Sequence, residues 1–314
     1  MGAHAAGLLP FSLAERLEEP THEMSNECRQ AFPGRPVMRV ALVQVDSPDA
    51  EPVPDRRARV DDLVRSAAGA DLVVLPELWA AGYFAFDSYA GEAEPFDGPT
   101  VTAARGWARE LNAHVHLGSF VERGPDGRLC NTAVLVAPDG EVAHVYRKIH
   151  VFGYQSREAE LLTPGDDVRV AATTFGPVAA TTCYDLRFPE LWRGLVDGGA
   201  RLVIVPAAWP AARLAHWRLF TSGRAVEQQI VLIACNATGT HGGAELGGHS
   251  RVVDPWGTVL TEAATEPGIT WCDVDADEVE RARTRFPVLA DRRGDLNFTA
   301  RPWTAKPHTS EVGA

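Results

Sequence analysis

The sequence contains no apolar stretch long enough to cross a bilayer, and its N-terminus lacks a basic segment followed by a continuous apolar run. A membrane is therefore not expected as a partner, and the chain reads as cytoplasmic. Basic residues are in deficit, 30 against 42 acidic ones, giving a formal net charge of −12. No run of Lys or Arg is long enough to follow a phosphate backbone, so nucleic acid is not an expected partner either. Cysteines are few, odd in number and far apart: Cys28, Cys130, Cys183, Cys235 and Cys272, with no CxxC spacing. That argues against a disulfide framework and against a zinc site. His114 and His116 alternate as on a strand and no HExxH occurs, so neither a metal nor a cofactor is expected.

What remains is ordinary globular material. Hydrophobic residues make up 45% and charged residues 23% of 314, enough to bury a sizeable core in one large domain or two small ones. Residues 1–36 show neither helical nor strand periodicity and end in a Gly/Pro-containing segment. They read as a poorly structured extension, residues 37–300 as the folded domain and 301–314 as a tail.

An internal echo organises the domain. GADLVVLPELW (residues 69–79) resembles GARLVIVPAAW (199–209), each a β-branched run stopped by Pro. VAPDGEV (136–142) aligns with VDPWGTV (253–259), both reading as hairpins that turn on Pro-x-Gly. At that same offset 115–118 meets 232–235, and upstream 40–45 matches 178–183. Helices are expected over 56–68, 100–112, 188–198 and 216–229. Each half is then strand, helix, strand, helix, strand, hairpin. Two such halves can bury their free sheet faces against each other, which predicts an α/β fold: a four-layer αββα sandwich with an internal pseudo-two-fold repeat.

Three residues carry chemistry. Cys183 ends a predicted strand and precedes Pro189-Glu190, a helix start. A helix N-terminus and a cation nearby would favour the reactive thiolate, and the Tyr184 N–H could serve an oxyanion site at the same corner. Glu77 follows the Pro that ends its strand, where α/β sheets gather catalytic groups, and suits a general base. Lys148 follows the first hairpin and supplies positive charge. Singly, each has a bland reading: an inert core cysteine, a surface carboxylate, a solvated lysine. The echo weighs against it, because Cys183 matches Val45, Glu77 matches Ala207 and Lys148 matches Thr265. A fold that required these groups would carry them in both halves.

LPELW (75–79), YRKIH (146–150), CYDLRFPE (183–190) and GGHSRVVDPWG (247–257) occur in an order and spacing that resembles the nitrilase superfamily of carbon–nitrogen hydrolases. The match is to its amidase branch, similar to ω-amidase and deaminated-glutathione amidase. The resemblance implies a Glu-Lys-Cys set, carried onto Glu77, Lys148 and Cys183, with Glu158 as a second glutamate that orients the lysine. An exposed acidic pair of Glu158 with Glu160 is the alternative. It further implies thioester chemistry on a small-molecule amide and a homodimer or higher homo-oligomer. Tyr184-Asp185 stands where nitrile-cleaving relatives usually carry Trp-Glu, which favours amides, whereas the segment 148–158 is shorter than in typical ω-amidases. Arg187, or the loop 236–249, is a candidate partner for a substrate carboxylate; for Arg187 an ion pair with Asp185 or Glu190 is the alternative. Tyr83 and Trp209 are candidate pocket walls or packing residues. Competing functions are hydrolysis of an N-carbamoyl compound, a nitrilase, a non-catalytic binding module, and redox sensing by Cys183.

Overall fold

In the computed structural model, residues 37–293 are described. The expectations for 1–36 and 301–314 lie outside them, as does the end of the expected domain, 294–300. The first sheet runs in the order β14-β1-β2-β3-β4-β5. Its members are β1 (Val37–Gln44), β2 (Leu72–Val74), β3 (His114–Arg123), β4 (Leu129–Val136), β5 (Val142–Arg147) and β14 (Gly268–Asp275). The second runs β13-β12-β9-β8-β7-β6, from β6 (Ala171–Thr173), β7 (Gly176–Ala180), β8 (Leu202–Ala207), β9 (Val231–Asn236), β12 (Arg251–Val253) and β13 (Val259–Glu262).

The halves correspond strand for strand. β1, β2 and β3 are parallel, as are β7, β8 and β9; β4–β5 and β12–β13 follow antiparallel, and β14 and β6 each add an antiparallel edge. The Pro-x-Gly hairpins form at the expected places, with Gly140 and Gly257 at φ +84° and +85°, a conformation that glycine adopts without steric cost.

Helices α1 (Val53–Arg65), α2 (Pro99–Leu111), α3 (Pro189–Asp197) and α4 (Leu214–Gln228) fall close to the four expected segments, and α5 (Glu278–Arg285) follows β14. Pro in the first turn of α1, α2 and α3 occupies a position where its missing N–H costs nothing. Both α2 and α4 close on a left-handed cap, Asn112 and Gln229, at equivalent positions of the repeat.

Strand alternation makes the layers. Ala41, Val43, Val73 and Leu75 pack under α1 and α2, whereas Val40, Leu42, Leu72 and Val74 meet Leu202, Ile204, Ile233 and Cys235 of the other sheet. Val203, Val205, Leu232 and Ala234 pack under α3 and α4. Sheets covered on both faces need apolar residues at successive positions, which is why these strands read as unbroken hydrophobic runs. Even the tryptophans repeat: Trp79 stands 6.4 Å from Trp107, and Trp209 5.8 Å from Trp217. The result is the expected αββα sandwich.

Two local expectations change. The strand before Cys183 stops at Ala180. The segment 236–249, expected as a loop, contains a two-stranded hairpin, β10 (Thr238–His241) with β11 (Ala244–Gly247). Glycines at its turn and flanks break the alternation that would have signalled strands.

Candidate active site

Four chain segments converge where the two halves meet. After β2, the backbone turns at Pro76 and Leu78, the latter at φ +48°. Leu78 N donates to Ser119 Oγ at 3.1 Å and Trp79 Nε1 to the Leu117 carbonyl at 2.9 Å. Gly118 makes the turn possible: a Cβ there would lie 1.9 Å from the Pro76 carbonyl oxygen. Glu77 thereby enters the interior, fully buried, and its repeat mate receives it. The Ala207 carbonyl faces Glu77 N at 3.4 Å, and Ala208 N donates to Glu77 Oε2 at 2.9 Å.

Lys148 follows β5 and is completely buried. Its Nζ donates to Glu77 Oε1 at 2.8 Å and to Glu158 Oε1 and Oε2 at 2.8 and 3.0 Å. Glu158 opens the single helical turn Glu158–Leu161 and is also buried. It accepts bonds from Tyr83 OH at 2.8 Å and Phe152 N at 2.9 Å, so the exposed-pair alternative does not describe it. Asn131 on β4 donates from Nδ2 to Glu77 Oε1 at 2.8 Å.

Cys183 opens a 3-10 turn, Cys183–Arg187, at φ +48°. The turn is held by Asp185, whose buried carboxylate accepts from Thr182 N (2.9 Å), Tyr146 OH (2.8 Å) and His150 N (3.0 Å), with His150 Nδ1 at 2.8 Å. One carboxylate thus ties the Lys148 segment to the Cys183 segment. His150 also stacks on Phe188 with ring centroids 3.7 Å apart.

Burial pushes the Cys183 thiol well above its usual value of 9.0, and the Glu77 charge adds to this, together outweighing Lys148. Burial thus favours the thiol and outweighs the pull toward thiolate that a nearby cation and helix N-terminus would exert. No long helix begins at Cys183, since α3 starts six residues later. Burial also raises Glu77, Lys148 opposes this and Glu158 reinforces it. Burial alone would depress Lys148, but Glu158 and Glu77 hold it well above 10.5, a cation.

Cys183 lines a pocket whose walls are largely aromatic and apolar. Tyr83, Tyr184, Arg187 and Trp209 all line it, with Phe84, Phe152, Pro210 and Arg213. Arg187 pairs with neither Asp185 nor Glu190. Its guanidinium lies 4.8 Å from the Trp209 ring, and Nη2 is 3.3 Å from His216 Nδ1. Behind the lining, His241 of the hairpin packs on Phe84, and Asn236 at the end of β9 accepts Trp209 N on its Oδ1 at 2.6 Å. Sequence reasoning did not single out Asn131 or Arg213, nor the role of Asp185 as a tie. Among the described residues, no group of three or more His, Cys, Asp or Glu side chains is placed to hold a metal ion, and no helix is long and apolar enough to cross a membrane.

The family profile described as carbon–nitrogen hydrolase matches residues 39–284. The chain belongs to the carbon–nitrogen hydrolase family. It is 39% identical over 290 residues to the 2-oxoglutaramate amidase of Paenarthrobacter nicotinovorans, covering 90% of this chain and 97% of that one. To the omega-amidase NIT2 of Mus musculus it is 34% identical, covering 82% and 96%. Among solved structures, a mutant of the amidase from Nesterenkonia sp. AN1 superposes with a TM-score of 0.67 at 28% identity, covering 81% and 99%. That structure shows acrylamide added at the active-site cysteine.

Proposed function

We propose that this carbon–nitrogen hydrolase is an amidase that converts the terminal amide of a small carboxylic acid to acid and ammonia through a thioester on Cys183. The observation that carries the reading is the buried cluster in which Lys148 Nζ lies 2.8 Å from both Glu77 Oε1 and Glu158 Oε1, with the Cys183 thiol against Glu77. Glu77 takes the thiol proton as the sulfur attacks the amide carbon, while Lys148 and the Tyr184 N–H stabilise the oxyanion. Collapse expels ammonia with the proton from Glu77. Glu77 then activates water, which cleaves the thioester. Glu158 holds Lys148 in place throughout.

The walls suggest the substrate. Arg187 and Arg213 share the pocket, burial and then the Arg213 charge oppose the charge on Arg187, and among the described residues neither is ion-paired with a carboxylate. A free carboxylate on the substrate would relieve that repulsion. 2-Oxoglutaramate, named for two similar proteins, has this chemistry. Replacing Arg213 by Gln is expected to raise KM for an ω-amide acid about tenfold or more, while KM for the neutral butyramide stays within about twofold. Equal effects on both amides would remove the carboxylate from the reading. Ammonia release without carbon dioxide separates an amidase from an N-carbamoyl hydrolase.

The same reading includes a cytoplasmic homo-oligomer. Cys130, Cys183 and Cys235, which form no disulfide among the described residues, suit a reducing compartment. Exposed Leu219 and Val226 on α4, with Trp256 on the neighbouring hairpin, offer apolar surface for self-association. Sedimentation velocity showing only monomer at micromolar concentration would remove the oligomer.

A further inference from the structure

Asn131 is 1% exposed on β4. Its Nδ2 donates to Glu77 Oε1 at 2.8 Å and to Glu158 Oε1 at 3.3 Å. Lys148 Nζ donates to the same two oxygens at 2.8 Å each. One charged and one neutral donor thus bridge the two carboxylates. The Asn131 carbonyl also accepts Lys148 N at 2.9 Å.

The amide has one workable orientation, because turning it over would set Oδ1 against two carboxylate oxygens. The orientation adopted leaves Oδ1 buried without a partner, an arrangement that fold stability alone disfavours.

We propose that Asn131 is a positioning residue whose carboxamide holds Glu77 and Glu158 in register and keeps Glu77 in the anionic state that accepts the Cys183 proton. This rests on the reading of Glu77 as general base. Glu77 is faced by Lys148, Glu158, Cys183, Tyr83 and Tyr89. Burial and the Glu158 charge favour its protonation, and Lys148 opposes them. A neutral donor favours the anion without adding a second buried charge. Removing that donor raises the proton affinity of Glu77, so activity that appears as Glu77 ionises appears at higher pH.

The test compares wild type with Asn131→Leu, which keeps the volume and removes the donor, and Asn131→Asp, which keeps the shape and adds a third acid. Two profiles are read from about pH 5 to about pH 9: kcat/KM for an ω-amide acid, and the rate of Cys183 alkylation by iodoacetamide, which needs no knowledge of the natural substrate. The acid limb of both is expected to move up by about one pH unit in Asn131→Leu and further in Asn131→Asp, with KM at high pH near wild type. If Asn131→Leu does not fold, Asn131→Ser reads the same limb. A limb that stays in place while the plateau falls would overturn the proposal and leave Asn131 a packing residue. Glu77→Gln serves as the reference: losing the limb there ties it to Glu77, whereas keeping it overturns the general-base reading and this inference with it.

Discussion

Glu77→Gln is expected to lower kcat by about three orders of magnitude, within the range of general acid–base contributions. Gln fills the same volume, and its carbonyl can still accept the Ala208 N–H that Glu77 Oε2 accepts at 2.9 Å, so the pocket keeps its shape. What disappears, on the proposed mechanism, is the group that takes the thiol proton and returns one to ammonia. The substitution also removes a charge that raises the Cys183 thiol, but burial is the larger cause and remains. Iodoacetamide alkylation of Cys183 at neutral pH is therefore expected to slow by about tenfold or more, and less than hydrolysis does. Unchanged alkylation would mean a preformed thiolate.

Lys148→Met is expected to impair both activity and stability. The ammonium sits between two carboxylates with no exposure of any of the three. Removing one partner of a buried ion pair typically costs about 3–5 kcal/mol, because a buried charge is left uncompensated. For a domain of this size that corresponds to a fall in Tm of about 10 °C. Loss of the proposed oxyanion donor should lower kcat by about two to three orders of magnitude. The double variant Lys148→Met, Glu158→Gln separates the effects, since it relieves the uncompensated charge and should recover part of the Tm without recovering kcat. Recovery of both together would make Lys148 a structural residue alone.

The repeat was the most legible feature of the sequence. Strands buried on both faces must be apolar throughout, so β2 and β8 announced themselves, and their match exposed Glu77 against Ala207 as a departure that the fold does not need. Cys183 and Lys148 stood out for the same reason, and all three side chains meet in one buried cluster. Partnerships between distant segments were not legible. β14 pairs with β1 across more than two hundred residues, and nothing in either run specifies its neighbour. The tie from Asp185 to Tyr146 and His150 joins two motifs visible in sequence by a contact that only folding creates. The balance at Cys183 was not legible for the same reason, because burial, which raises the thiol, is a property of the assembled site.

Intact-protein mass spectrometry of the enzyme quenched during turnover of an ω-amide acid tests the thioester directly. The expected result is an acyl adduct on Cys183, formed with stoichiometric ammonia and absent from Cys183→Ala, which releases none. Ammonia release undiminished in Cys183→Ala would contradict covalent catalysis at this cysteine.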